Sequence, residues 1–521
     1  MDKAFLAIFN ACVLFYSLWF VHGLPSCSET PFVQVCNDFI GQSLPLQTQH
    51  QTPFVFRDHS LLVTMNHANQ AHQMISAMNL SSFDHKAKLA WADCLELYED
   101  TIDHLARSMN SKNPLDSQTW LSAAIANQQT CQNGFLDFNM SSHLESLPYM
   151  IMSNLSKLLS NSLAINKAMA YNTKQVGGRR LLTGGFPSWV SSSDRRLLQL
   201  SRGAPAAHII VAQDGSGNYK TISEAVAASV KRRSGTKRFV IYVKKGVYKE
   251  NVEIKKSMKN LMFIGDGIGA TIVTGNKNAQ EGSTTFRSAT FAVSGKGFIA
   301  RDMTFENTAG PQKHQAVALR SSSDFSVFYS CSFKGYQDTL YVHSQRQFYR
   351  NCDIYGTIDF IFGDAIVVLQ NCNIFVRKPM SSQQNTVTAQ ARKDPNENTG
   401  IVIHNSRVMA ASDLRPVQGT FKTFLGRPWK KYSRTLFMKS NLDGLIDPAG
   451  WLAWNGNFGL STVYYGEYMN TGSGASTRGR VKWAGYHVIT KAMEAAKFTV
   501  GNFLAGDSWI SAAGVPFDSG L

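Results

Sequence analysis

The chain has 521 residues, long enough for more than one domain with a full core each, and its 52 Lys and Arg outnumber 36 Asp and Glu to give a formal charge of +16. Such a basic balance points to a polyanionic partner, yet no nucleic-acid reader motif accompanies it, so nucleic acid is excluded as the partner. After the N-terminal segment no run reaches the ~18 uninterrupted apolar residues of a membrane span.

In chain order, Met1-Asp2-Lys3 precedes a mostly apolar run from Ala4 to Val21 and small residues near Gly23. This is the pattern of a secretory signal peptide over residues 1–23. Secretion makes disulfides the expectation for the early cysteines, Cys27–Cys36 and Cys94–Cys131. No CxxC or HxxxH spacing calls for zinc.

Residues 24–174 read as an all-α helical bundle. Around Lys86–Met109 the apolar positions Leu89, Trp91, Leu95, Tyr98, Ile102, Leu105 and Met109 recur at three- and four-residue spacing, and the stretches 120–126 and 144–171 share the helical period. N-glycosylation sequons fall at Asn79, Asn139 and Asn154. From 175 to 206 the periodicity stops. This stretch is rich in Gly and Ser and holds the tetrapeptide RRLL twice, with Arg179 and Arg180 in one copy and Arg195 and Arg196 in the other. Duplicated dibasic sites in a linker are expected processing sites. The charge divides here too: residues 201–521 carry 39 Lys and Arg against 22 Asp and Glu, whereas the first 200 carry 13 against 14.

Beyond 207 strands dominate. His208–Ala212 ends in the turn Asp214-Gly-Ser-Gly-Asn218, and 222–230 reads as a short helix capping the open end of a coil. Three segments then align: Tyr329-Ser-Cys331-Ser-Phe333, Arg350-Asn-Cys352-Asp-Ile354 and Gln370-Asn-Cys372-Asn-Ile374, displaced by 21 and then 20 residues. Related pieces begin at Arg301 and His404. A period near 20 in a strand-rich region with no LxxLxL frame predicts an all-β, right-handed parallel β-helix over 207–521. One turn lifts the chain by one strand spacing, ~4.8 Å, so residues a period apart stack. Stacked cysteines allow a 331–352 or a 352–372 disulfide, with one thiol unpaired.

Asp338 and Asp359, 21 residues apart in this repeat and set among aromatic and aliphatic residues, are the candidate chemistry. Asp is rarely buried without a partner. Two facing carboxylates in an apolar setting can divide into a proton donor and a nucleophile.

The blocks DGSGNYKTISEAV (214–226), GVYKENV (246–252), HQAVALR (314–320), GYQDTLY (335–341), GTIDFIFG (356–363), LGRPW (425–429) and FTVGNFLAGDSWI (498–510) resemble, in order, those of plant pectin methylesterases. The helical segment is similar to their inhibitor domain through ADCLELYEDTID (92–103), TWLSAAIANQQTC (119–131) and SNSLAINKAM (160–169). The resemblance implies a secreted cell-wall (apoplastic) carboxylic ester hydrolase, made as a precursor, that acts on methyl-esterified homogalacturonan without metal or cofactor. It assigns Asp359 as nucleophile, Asp338 as proton donor and then base, and Gln337 as a transition-state stabiliser. Thr285, Gln315, Arg427 and Trp429 become substrate-binding, with Gln315 a second oxyanion donor and Tyr336 or Phe360 extending a sugar platform. It also selects Cys352–Cys372 as the disulfide. The expected partners are the polysaccharide, proteinaceous pectin methylesterase inhibitors and a processing subtilisin-like protease, with the enzyme itself a monomer. A pectate lyase would need a calcium-binding acidic cluster and a polygalacturonase a catalytic His. A basic cell-wall lectin would bind pectin without releasing methanol.

Overall fold

The structure, a computed structural model, describes residues 26–43, 53–81, 83–140, 149–176, 207–232 and 237–521. The expected signal peptide and both RRLL sites, with Arg179, Arg180, Arg195 and Arg196, lie outside these residues.

The N-terminal part is built on four long helices: α1 (Pro53–Ser76), α2 (His85–Met109), α3 (Pro114–Leu136) and α4 (Tyr149–Val176). Their starts follow capping chemistry. Asp84 accepts the Ala87 amide at 2.7 Å ahead of α2, and Asn113 accepts the Leu115 amide at 3.0 Å ahead of α3, whose first residue is Pro114. Both expected disulfides of this part are formed, Cys27–Cys36 beneath α4 and Cys94–Cys131 between α2 and α3. The deepest stripe of α2 runs through Ala87, Ala90, Cys94, Leu97, Thr101, Leu105 and Ser108. Most of the larger apolar residues marked by periodicity are half-buried beside it, because small residues let α3 approach closely.

The C-terminal part is a coil of three parallel sheets, of eleven, seven and eight strands. Helix α5 (Ile222–Arg232) packs Ile222, Ala225 and Val226 against the first rungs, where a cap is needed. The seven-stranded sheet carries the site: β1 (Val252–Ile254), β2 (Phe291–Val293), β3 (Leu319–Ser321), β4 (Leu340–Val342), β5 (Ile361–Gly363), β6 (Asn385–Gln390) and β7 (Thr423–Gly426). Each pairs in parallel with the next, and Leu319, Leu340 and Ile361 stack in register. The aligned repeats are successive rungs, as Ser332↔Asp353↔Asn373 pairing shows.

From Asp302 onward successive rungs turn through a left-handed residue after their strand in the large sheet: Asp302, Ser330, Asn351, Asn371, Asn405 and Lys439. Asn and Asp adopt this conformation at low cost, and Asn371 donates to the Asn351 side chain at 2.6 Å, tying two turns together. The spacing is 21 and 20 residues from Ser330 to Asn371, but 34 from there to Asn405 and again to Lys439. The later rungs keep the strands and lengthen the connections.

One expectation is corrected. Cys331, Cys352 and Cys372 are all free and buried. Cys352 and Cys372 stack on adjacent rungs, but each thiol donates to main-chain carbonyls, Cys352 to Phe328 and Arg350 at 3.4 Å and Cys372 to Gln370 at 3.5 Å. The strand ladders already hold the rungs together without a crosslink.

Candidate active site

Asp338 and Asp359 occupy equivalent corners of successive rungs, just ahead of β4 and β5. Both have positive φ, 64° and 51°. Such strained corners aim the side chain away from the interior and cluster at functional sites. The Asp338 amide donates to the Ile358 carbonyl at 3.1 Å, which sets one corner upon the other.

Asp359 is held from two sides. Arg427 donates from Nε to Oδ1 and Oδ2 at 2.8 and 3.1 Å and from Nη2 to Oδ2 at 2.6 Å, a bidentate grip. Thr386 on β6 accepts the Asp359 amide at 2.9 Å and donates its hydroxyl to Oδ1 at 2.6 Å. Because the lone pair takes the amide, the single hydroxyl proton is committed to the carboxylate. The Arg427 guanidinium is stacked 4.4 Å over Trp454. Asp338, 8% exposed, is pushed well above the usual carboxylate range, first by burial, then by the charges of Asp359 and Asp137, with Arg427 opposing. The two carboxyls therefore have unequal tasks: one is held as an ion pair and the other favours its proton.

These side chains open into a cavity of about 250 Å³. Gln315, Gln337, Thr285, Arg427 and Trp429 all line it, so the substrate residues expected from the sequence are brought together with both aspartates. Phe360 is not among them. It is fully buried in the coil interior against Gly356, where a Cβ would come within 2.2 Å of its own. Tyr336 is held aside by Arg377, which donates to its hydroxyl at 2.6 Å. The aromatic surface of the cavity is instead Tyr341 and Phe362, outward neighbours on β4 and β5 with ring centroids 4.2 Å apart, and Trp429 at 5.9 Å from Phe362. Thr386, Tyr341, Phe362 and Trp454 escaped the sequence reading. Alternation along β4 and β5 could have flagged the two rings, but Thr386 sits 27 residues after Asp359, out of step with the period.

One wall of the cavity comes from the helical part: Thr130, Asn133, Gly134 and Asp137, at the end of α3 and just past it. Thr285 donates to Asp137 at 2.9 Å, and Thr130 sits 2.9 Å from His343. Asp137 is exposed at its outer edge, but loss of water around its carboxyl raises its pKa, Thr285 opposing. Asn79 and Asn139 are exposed and Asn154 is half-buried on α4. Among the described residues no helix is long and apolar enough to cross a membrane.

Fold and cleft together define a parallel β-helix whose seven-stranded sheet carries a cavity lined by a pair of carboxyl groups. Residues 208–507 match the Pectinesterase family model, and residues 25–165 match that of the plant invertase/pectin methylesterase inhibitor. The chain is 56% identical to a probable pectinesterase/pectinesterase inhibitor 6 of Arabidopsis thaliana over 96% of this chain and 94% of that one, and 54% identical to pectinesterase 2 of Citrus sinensis over 95% and 94%. Among solved structures, pectin methylesterase from carrot is 59% identical with a TM-score of 0.60; 62% of this chain, about the share of the coil, covers 100% of it. The Aspergillus niger enzyme is 30% identical with a TM-score of 0.51, over 59% of this chain and 97% of that one. The chain belongs to the pectinesterase family: it is a pectin methylesterase preceded by a domain of the inhibitor family.

Proposed function

We propose that this enzyme removes methyl groups from homogalacturonan through an aspartyl acyl-enzyme. Asp359 attacks the C6 ester carbonyl. The Asp338 proton goes to the departing methoxide, which leaves as methanol. Asp338, now a base, takes a proton from water as the water attacks the acyl-Asp359, releasing the galacturonate carboxylate and restoring both aspartates. Gln315 and Gln337 face the developing oxyanion with side-chain amide donors. Tyr341, Phe362 and Trp429 give the sugar rings flat apolar faces to stack on.

The observation that carries this reading is the unequal environment of the two aspartates. A bidentate guanidinium and a committed hydroxyl hold Asp359 as an oriented nucleophile, while the buried Asp338 keeps a proton to give. The test is methanol release from methyl-esterified pectin by the coil, after cleavage in the 175–206 segment and removal of the helical part. Pectin binding without methanol release across pH 5–9 refutes the esterase reading and leaves a lectin.

The same reading includes a life history. The precursor is secreted to the cell wall and cut at one or both RRLL sites by a subtilisin-like protease, and the cut enzyme meets pectin and separate inhibitor proteins there as a monomer. The α3 wall of the cavity supports the helical part as a cover that must leave before a polysaccharide enters. Mass spectrometry of wall-extracted active protein beginning near residue 199 fits this history, and an intact active 24–521 chain contradicts it.

A further inference from the structure

Asp359 is held by Arg427, and Arg427 is held in turn by an aromatic face. Its guanidinium gives Nε and Nη2 to the carboxylate, and among the described residues its side chain hydrogen-bonds to Asp359 alone. The side chain remains 25% exposed. Its second contact is the Trp454 ring, whose centroid lies 4.4 Å from the guanidinium carbon. One junction of the coil brings the two residues together. Trp451 forms a parallel bridge with Gly426, the last residue of β7, and the Leu452 amide donates to the Gly426 carbonyl at 3.0 Å. Arg427 and Trp454 leave this junction from neighbouring rungs. Trp451 anchors the segment, buried in the coil and stacked on Tyr465 at 4.2 Å. Trp454, three residues on, is 36% exposed and lines the catalytic cavity. Among the described residues it belongs to no buried hydrophobic cluster. Core packing therefore does not account for this indole, whereas a cation over its face does.

On the esterase reading above, on which this inference rests, the charge that Arg427 faces moves during turnover. In the resting site Asp359 carries the charge and Asp338 the proton. An Asp359 oxygen then bonds to the acyl carbon, and methoxide leaves with the Asp338 proton. Asp359 is now part of a neutral anhydride, and Asp338 is the carboxylate. The charge of Asp338 acts on Arg427, so the guanidinium is drawn from one aspartate toward the other. A move onto Asp338 would weaken the base that must take a proton from water. It would also leave Asp359 without a cation as it departs. The indole face attracts the guanidinium equally in both states, because its quadrupole does not change with the aspartates. We propose that Trp454 is a positioning residue that keeps Arg427 over Asp359 through the acyl-enzyme stage. When water attacks the acyl carbon and the bond to Asp359 breaks, the electron pair returns to an oxygen that already faces the guanidinium, and Asp338 takes the water proton. Trp429, 5.9 Å from Phe362, extends the aromatic platform, whereas Trp454 serves the arginine.

The test compares wild type, Trp454→Leu and Trp454→Phe as the cleaved coil, the portion that the carrot enzyme represents as a complete protein. Leucine keeps an apolar side chain and removes the ring, and phenylalanine keeps a face of weaker attraction. Methanol release from methyl-esterified pectin is followed from the first turnover. Trp454→Leu is expected to release one equivalent of methanol per enzyme in a fast phase and then turn over about tenfold more slowly than wild type, because deacylation has become the slow step. Its kcat/KM, which reports acylation, is expected to stay near wild type, so that kcat and KM fall together. Trp454→Phe is expected to lie between, with kcat roughly threefold below wild type and a smaller fast phase. A loss of kcat/KM with kcat kept makes the ring a sugar platform and overturns the positioning role. Wild-type kcat in Trp454→Leu, or slow turnover without a fast phase, overturns it too. If Trp454→Leu does not fold, Trp454→Phe decides, and wild-type kcat there overturns the role. In each of these cases wild type still releases methanol; absence of release by wild type overturns the esterase reading itself.

Discussion

Replacing Thr386 by Val keeps the shape of the side chain and removes the hydroxyl that serves Asp359 twice. The bond to the carboxylate is 2.6 Å long and the one from the Asp359 amide 2.9 Å, both in a fully enclosed setting. A hydrogen bond to a charged group contributes ~1.5–3 kcal/mol, and a buried amide left without an acceptor costs ~1–3 kcal/mol. If the first quantity is expressed in orienting the nucleophile, kcat falls about 10–100-fold, at ~1.4 kcal/mol per factor of ten. Thr386 does not line the cavity, so KM is expected to change little. The lost amide acceptor is a separate effect on the fold, lowering Tm by a few degrees at roughly 2–4 °C per kcal/mol for a domain of this size. The assay is methanol release by the cleaved coil at saturating pectin, with melting followed in parallel, for Thr386→Val and Thr386→Ser. Serine retains the hydroxyl and is expected to recover most of the rate. A Val variant with wild-type kcat, or a Ser variant as slow as Val, refutes the assignment of that hydroxyl to Asp359.

Three further outcomes are expected. Asp359→Asn removes the proposed nucleophile while keeping its size, and methanol release should drop by at least ~10³-fold with the circular dichroism spectrum unchanged; substantial residual turnover moves the nucleophile elsewhere. Gln337→Ala should lower kcat by about 10²–10³-fold, the usual effect of losing one oxyanion donor, and a loss confined to KM would make it a ground-state binding group instead. The union of the two halves should weaken as pH rises. Burial raises Asp93 to about 6, with Arg287 and Thr284 opposing, and Asp137 moves the same way. A carboxyl raised on docking takes up a proton, so the docked state is favoured below its ordinary pKa near 4 and loses that advantage as pH climbs through ~6. Size-exclusion chromatography of the cleaved chain between pH 4 and 7 should show progressive separation, and tighter union at the higher pH contradicts the sign.

The stacking of Asp338 on Asp359 was legible because two rungs in succession happen to be short and alike, so that Ser330, Asn351 and Asn371 keep a period of 21 and 20. Thr386 was not, because its rung is longer and sequence spacing no longer reports height along the coil. The same limit misled the choice of aromatic platform. Phe360 and Phe362 look equivalent as letters beside Asp359, but the left-handed corner at 359 turns Phe360 inward and leaves Phe362 outside. Sequence period also pointed to helices in the first part without revealing which face meets the coil, since α3 has no apolar stripe: small polar residues are buried on every side of it.

That last property of α3 bears on what happens when the two halves separate. Ser117, Gln118, Thr119, Ser122, Asn127, Gln128, Gln129 and Thr130 are all enclosed. Several of them bond across the junction: Gln118 to the Asn396 carbonyl at 2.8 Å, Ser122 to Asn398 at 3.2 Å and Thr130 to His343. Water can replace each of these bonds one for one, while the apolar surface bared on the coil is the set Phe286, Val317, Tyr341 and Phe362, which shares one buried cluster with the helices. Hydroxyls and amides thus share the seam with an aromatic patch that the departing helices would leave open beside the cleft.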